Sequence, residues 1–463
     1  MAMKEVMAEP VRIRICSRRV RRLRALTLVG AVGTALALSA CGGGGDDETT
    51  GDAGVKAVSA PGCGGVEYGG EGQADALIVS DLPLLGDSKE RSAQMNDAIR
   101  DVLDEAGWKA GNTAVAFQVC DDSIAKTGLW DEARCRQNAQ AYAADADVIG
   151  MIGTYNSGCA EIEVPILNRA PGGGLAMVSP GNTLICLTEK ASGCLNGEPA
   201  SLYPSGTRNY ARVIPNDAYQ GAGLATFAKN RGLRKVYILY AGGDPTSLGQ
   251  ARTFRGAAGP LGIEIAGFQS WDTGAKSYTD LMQAAKKTQP DAVLLAGLIE
   301  QHGADLIKDK VAVLGPNSGQ VRLLAPDGFA QQATIDDTGP AAAGMYASVP
   351  GRVPDSLTGP GKTLVGTLTD QAGGEPVELF APYAGQAAQV MLDSVSEGGT
   401  ERGSVVKALF ATRVSNGITG SFRILPSGDP SLGPITVSVA KKAFEPSSVI
   451  LPPSSLLDAA RHG

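Results

Sequence analysis

Along most of the chain, short continuous apolar runs alternate with stretches whose apolar residues recur at helical spacing. ALIVS (76–80) is a buried-strand pattern, and 91–106 follows it with Met95, Ile99, Val102 and Leu103 on one helical face. AVAFQV (114–119), a helix over 131–144, DVIGMIG (147–153), a helix over 159–168 and LAMVS (175–179) continue the alternation. A second series begins with a helix over 219–230 and the strand KVYILYA (235–241). It continues through a helix over 248–258, GIEIAGFQ (262–269), a helix over 278–287, DAVLLAG (291–297) and VRLLAP (321–326). MYASVP (345–350), a long helix over 380–395 and late strands within 418–430 and 435–440 close the pattern. Apolar runs joined by helical segments are βαβ units, which need a parallel sheet covered on both faces. Two series of this length predict two α/β domains rather than one large sheet.

The first forty residues break this pattern. Arg12, Arg14, Arg18, Arg19, Arg21, Arg22 and Arg24 precede an apolar stretch, 25–38, which is too short to span a membrane and reads as a signal peptide. It ends in Leu38-Ser39-Ala40-Cys41, which resembles the lipobox of bacterial lipoproteins and implies cleavage before Cys41 and a diacylglycerol anchor on its sulfur. Gly42 to Gly45, then Asp46, Asp47 and Glu48, suit a flexible lipidated tether, expected over 41–74. Ser17-Arg18-Arg19 hints at twin-arginine export, although Arg21 and Arg22 stand where that signal expects apolar residues.

Loss of residues 1–40 removes eight of the 41 Lys and Arg and two of the 48 Asp and Glu, leaving a net charge of about −13. That charge argues against nucleic acid as a partner. No later stretch offers eighteen consecutive apolar residues, so lipid is the only membrane anchor expected and the rest is extracytoplasmic.

Six more cysteines follow: Cys63, Cys120, Cys135, Cys159, Cys186 and Cys194. An even number in an exported chain predicts three disulfides, and the two histidines, His302 and His462, leave little for a mixed His/Cys metal site. Of fifteen possible pairings, the expectation is Cys63–Cys120, Cys135–Cys159 and Cys186–Cys194. The last pair brackets a short loop, and the second would tie a helix start to the loop after the next strand.

Several stretches, in order over roughly 75–440, carry a more specific resemblance: GTYNSGC with VPILNRA, MVSPGNTLICLT, YARVIPNDAYQG, SYTDLMQAAKKTQPDAVLLAG, LLAPDGF and GSFRILPSGD. The chain resembles the type I extracytoplasmic solute-binding proteins of ABC importers, the leucine/isoleucine/valine-binding group. The resemblance implies two Rossmann-like lobes with parallel central sheets, joined by three hinge crossovers near 212–215, 345–350 and 418–422. Lobe 1 would be 75–213 plus 351–417, lobe 2 would be 214–344 plus 418–445, and 446–463 a C-terminal tail. In the amino-acid-binding members, the serine of the first loop and the SPxxT motif hold the ligand carboxylate. Carried here, those are Ser157, Gly181 and Thr183, with Asn182 between them. Asp327 in LAPDGF would meet the ligand ammonium, although Pro-Asp-Gly is also a strong turn signal. Aromatics typical of the family cleft align with Leu248 and Leu298, which points to a different or larger apolar side chain.

Other motifs carry less. Ser157 lies outside a G-x-S-x-G elbow and has only His302 within the fold to act as a base, which argues against a hydrolase. GAGLAT (221–226) lacks the third glycine of a dinucleotide fingerprint, and Asp121-Asp122 lacks the spacing of a calcium loop. Trp108, Trp130 and Trp271 are candidate pocket residues, with packing the first expectation for Trp271. The sequence therefore predicts a monomeric receptor without enzymatic activity, cofactor or metal. It would bind a branched-chain or other hydrophobic amino acid, or a related amide or carboxylate, and deliver it to permease and ATPase subunits. The rival reading is a sensing module of the same fold that signals to a non-transporter partner.

Overall fold

The computed structural model describes residues 53–463. The expected signal peptide, Cys41 and the first part of the tether lie outside the described residues.

Two seven-stranded sheets organise the chain. The first contains β1 (Cys63–Glu67), β2 (Ala76–Leu82), β3 (Lys109–Ala110), β4 (Thr113–Asp121), β5 (Val148–Gly153), β6 (Ala176–Ser179) and β7 (Tyr210–Arg212). Their order is β1-β4-β2-β5-β6-β7, with β3 paired to β4. All neighbours from β4 to β7 are parallel, and β1 is an antiparallel edge. The second sheet takes β8 (Lys235–Ala241), β9 (Glu264–Trp271), β10 (Ala292–Ala296), β11 (Arg322–Ala325) and β12 (Tyr346–Pro350). After a separate hairpin of β13 (Arg413–Gly417) and β14 (Gly420–Arg423), β15 (Ile435–Ala440) and β16 (Phe444–Ile450) extend it antiparallel. Its order is β16-β15-β12-β11-β10-β8-β9.

Helices cover both faces of each sheet, which is why the central strands are continuous apolar runs. Along β2, Ala76 and Ile78 pack into one core and Leu77 and Val79 into the other, and along β8 Val236 and Ile238 alternate with Tyr237 and Leu239 in the same way. The first series supplies α1 (Lys89–Glu105), α2 (Glu132–Ala144) and α3 (Ser157–Asn168). The second supplies α4 (Asp217–Asn230), α5 (Pro245–Ala258), α6 (Thr279–Lys287), α7 (Gly303–Leu314) and α8 (Gln332–Thr338). Then α9 (Pro360–Gln371), α10 (Ala381–Gly398) and α11 (Arg402–Leu409) return to the first sheet, with α10 against α1 and α11 against β5 and β6. The last helix, α12 (Ser454–Arg461), packs on α4 and α5.

The chain therefore passes between the sheets after β7, after β12 and between β14 and β15. Two crossings differ from the expected positions. Residues 346–350 are a full strand of the second sheet, so that passage begins beyond Pro350, and 418–422 lies in the hairpin, so the last passage follows β14. The expected tail 446–463 differs too: β16 hydrogen-bonds along β15, and Leu456, Leu457 and Ala460 of α12 are buried in the second core. The described part of the expected tether is also folded. Val55 and Val58 are buried in the first core, the Gln118 amide exchanges hydrogen bonds with the Val58 backbone, and Cys63 is bonded to Cys120. The other two disulfides are Cys135–Cys159 and Cys186–Cys194.

Arg402 anchors the returning segment. Its guanidinium donates to the carbonyls of Val148 (2.8 Å), Ala143 (2.9 Å), Tyr142 (3.0 Å), Pro171 (3.3 Å) and Asp145. All but Pro171, which lies in the turn after α3, belong to the end of α2 and the start of β5, so one side chain stitches α11 to the first sheet. Arg402→Ala strips several buried carbonyls of donors together and is expected to cost about 3 kcal/mol, read as a lowered urea midpoint at unchanged slope.

Candidate ligand-binding cleft

The loop after β5 and the start of α3 form one wall of a cleft between the lobes. Asn156 is the N-cap of α3 and Ser157 its first residue, so the unpaired N–H groups of the helix start face the same space as the short side chains. The Ser157 hydroxyl accepts from the backbone N–H of Thr183 (3.2 Å) and Leu184 (3.3 Å), which leaves its own proton free to donate. The loop after β6 is held by Ser179, whose hydroxyl donates to the Thr154 carbonyl (2.8 Å) and accepts from the N–H of Gly181 (3.1 Å) and Asn182 (2.8 Å). Behind both loops, the fully buried Arg212 donates to the carbonyls of Asn182 (2.8 Å) and Leu184 (2.9 Å) and pairs with Asp429 at 2.9 Å.

The opposite wall comes from the second lobe. Asp244 caps α5, accepting from the Thr246 N–H (3.0 Å), the Ser247 hydroxyl (2.5 Å) and the Gln301 amide (2.9 Å). Asp327 follows β11 and is 7% exposed. Its Oδ1 accepts from the amides of Gln220 (2.6 Å) and Gln250 (3.0 Å). Burial pushes the Asp327 carboxyl up to about 6 despite these bonds. Asp217, at the start of α4, is pushed up to about 7 by burial and then by the charge of Asp327.

The structure brings Ser157, Gly181, Thr183, Leu298 and Asp327 to one cleft, and two other expected residues elsewhere. Asn182 points away: its amide donates to the carbonyls of Thr154 and Tyr155, both at 3.0 Å, and its oxygen accepts from the Tyr210 hydroxyl. It braces the two loops. Leu248 lines a neighbouring chamber instead. Trp130, one of the three tryptophans named as pocket candidates, also lines the cleft, together with Tyr155, Asp244, Ser247 and Gln250, which sequence reading did not place there. The glycines are the available signal for the two rings: a Cβ on Gly158 would stand 2.7 Å from the Trp130 ring, and one on Gly181 2.8 Å from the Tyr155 ring. Trp271 packs in the second core with its indole N–H on the Gln301 carbonyl, and His302 is an exposed partner of Asp305.

Arg91 joins the lobes beside this site. From α1 it lies 4.0 Å over the Tyr155 ring, pairs with Glu300 at 3.2 Å and hydrogen-bonds Gln331 of the other lobe.

No Lys, Arg or His lines the cleft among the described residues. An anionic group there would be held by helix-start N–H groups and the Ser157 and Thr183 hydroxyls, and a cationic group by Asp327. Two α/β lobes around such a cleft define a bilobed small-solute-binding protein. The chain belongs to the periplasmic binding protein family, whose profile matches residues 82–432. It is similar to a leucine-binding protein, LivK, from Thermotoga maritima, with 20% identity over 81% of this chain and 99% of that one, and a TM-score of 0.70. LivJ from Streptococcus pneumoniae, a branched-chain amino acid transporter substrate-binding protein in complex with isoleucine, is 15% identical over 81% and 99% of the two chains, with a TM-score of 0.67. A solute-binding protein of an ABC transporter from R. palustris, in complex with benzoate, is 17% identical over 81% and 96%, with a TM-score of 0.65. No curated protein matches the chain. Among the described residues no helix is long and apolar enough to cross a membrane.

Proposed function

We propose that the protein is the receptor of an ABC importer, anchored by lipid at Cys41, and that it traps a small α-amino acid between its lobes for delivery to permease and ATPase subunits. It acts as a monomer and without catalysis. The observation that carries this reading is the apposition, in a cleft without basic side chains, of the Ser157 and Thr183 hydroxyls on one wall and the Asp327 carboxylate on the other. A zwitterion satisfies both walls at once, and because each lobe contributes one of them, the ligand contacts both only when the lobes are closed. Similar structures that hold leucine, isoleucine or benzoate support a carboxylate-bearing ligand.

A thermal-shift screen of the protein with its disulfides formed, against amino acids, amides, small carboxylates and sugars, tests the proposal. A ligand at a hundredfold over its dissociation constant adds about 2.7 kcal/mol, a readable shift in melting temperature. Silence from every α-amino acid, with a response to an amide or an amine-free carboxylate, overturns the ligand class. With an amino acid found, Ser157→Ala and Thr183→Ala are each expected to weaken it by about 1 to 3 kcal/mol, measured by titration calorimetry.

A further inference from the structure

The cleft is small, about 40 Å³, which is room for roughly three waters. A zwitterionic head group fits it, but a long side chain does not. Immediately beside it lies a chamber of about 280 Å³. Asp244 lines both spaces, and consecutive residues divide between them: Thr183 and Ser247 face the cleft, Leu184 and Leu248 the chamber. The Cys186–Cys194 disulfide loop contributes Ala191, Ser192 and Gly193 to its lining, and α5 contributes Leu248 and Gly249.

Apolar surface from Leu184, Leu195 and Leu248 is combined in this chamber with four carboxylates: Glu161, Glu198, Asp217 and Asp244. Two of the acids are already engaged, Asp244 by its helix and Glu198 by the Leu195 N–H at 2.7 Å. The other two keep oxygens without a partner. Glu161 has no hydrogen-bond or ion-pair partner among the described residues, and Asp217, fully buried, takes the Gln220 amide on Oδ1 at 3.2 Å and leaves Oδ2 without one. The single basic residue in the lining, Arg461, is committed to Glu189 at 2.8 Å and Asp458 at 3.0 Å. Unpaired acids in an apolar cavity are costly and call for a cation that brings its own apolar stem.

We propose that this chamber receives the distal end of the ligand side chain and that this end is a protonated amine, so that the ligand is a diamino acid with an apolar spacer rather than a branched aliphatic amino acid. The inference rests on the cleft reading above, because the α-amino carboxylate must first be seated at Ser157, Thr183 and Asp327. Burial holds Glu161 up to about 8, and an entering ammonium would favour its ionised form.

The test is titration calorimetry on the full protein, disulfides formed, with ornithine, lysine and homolysine against norvaline, norleucine and 2-aminoheptanoate. At least one diamino acid is expected to bind tenfold or more tightly than its neutral counterpart. That ratio should fall at least fivefold in Glu161→Gln, and in Leu248→Trp, which fills the chamber from a partly exposed position. Neutral amino acids that bind as tightly as the diamino acids overturn the inference and leave the cleft reading standing. So does a preference for the diamino acids that neither substitution changes. If no α-amino acid of either kind binds, the cleft reading fails and takes this inference with it.

Discussion

Between pH 5 and pH 8 the ligand-free protein is expected to lose several kcal/mol of stability, the opposite of the trend set by paired surface carboxylates. The cause is a set of buried acids without cationic neighbours in contact. Asp81, Asp122 and Glu163 are fully buried between β2, β4 and α3. Burial pushes Asp81 up to about 6, with the charge of Asp121 adding to it, and burial holds Asp122 and Glu163 well above the usual carboxylate range, both further raised by the charge of Asp81. Both oxygens of Asp122 and one of Glu163 accept no hydrogen bond, while Asn138 donates to Asp81 at 3.0 and 3.2 Å. Asp327 in the cleft, at about 6, and Asp217 and Glu161 in the chamber beside it, at about 7 and about 8, behave alike.

In each case the native state holds its proton at a pH where the unfolded chain has released it. The associated stability is complete below about pH 4 and is lost progressively as the pH rises from there to each native value, the last of them near 8. Asp81, moved from 3.8 to about 6, accounts for about 3 kcal/mol over that whole range, of which about 1 kcal/mol falls above pH 5. Urea unfolding at the two pH values should show a lower midpoint at pH 8 with the slope unchanged, and Asp122→Asn, a neutral isostere, should reduce the difference. A midpoint that stays level or rises would mean that a cation neutralises the cluster in solution.

Replacing Asp327 by Asn is expected to weaken α-amino ligands about a hundredfold. The carboxylate is buried, and the amides of Gln220 and Gln250 converge on Oδ1, which leaves Oδ2 without a side-chain donor on the wall facing Ser157 and Thr183. An ammonium placed there would form a charge-assisted bond in a site with little water, and the loss of one partner of such a pair costs about 3 kcal/mol. The comparison that isolates the effect is a ligand with its deaminated analogue, such as leucine with 4-methylpentanoate, or lysine with 6-aminohexanoate. Selective loss of the α-amino ligands supports the ammonium role. Equal loss for both members of a pair removes Asp327 from it and returns the residue to the turn that Pro-Asp-Gly makes by itself.

The elements that sequence reading located are those whose signal is local. Ala76–Leu82, Lys235–Ala241 and Ala292–Ala296 are covered on both faces, so burial selects the apolar runs ALIV, VYILYA and AVLLA within them. Elements at the margins escaped notice. Cys63–Glu67 and Phe444–Ile450 are half-exposed edge strands whose mixed residues, CGGVE and FEPSSVI, carry no period. The helix Gly303–Leu314 starts behind His302, a non-glycine residue at φ 61°, where no capping side chain announces it.

The cleft divides in the same way. Ser157, Gly181 and Thr183 were legible because they sit in loops directly after strand ends, where the direction of a parallel strand decides which loops share an edge. Asn182 lies in the same motif yet turns inward, because Thr154 and Tyr155 offer carbonyls that only the folded neighbour loop supplies. Leu248 faces the side chamber because of the rotation of α5, which its Asp244 cap and the packing of Phe254 set together.

By itself the sequence determined two α/β series, the strand-end loops that could form a site, and a cysteine count consistent with three bridges, since these follow from local pattern and composition. Only the tertiary structure decided where the chain crosses between sheets, that 446–463 closes the second lobe, that Trp130 and Tyr155 enter the cleft, and that unpaired acids meet beneath the first sheet and in the chamber. Those outcomes depend on contacts between residues far apart in the chain, whose free energy has no counterpart in any short window of sequence.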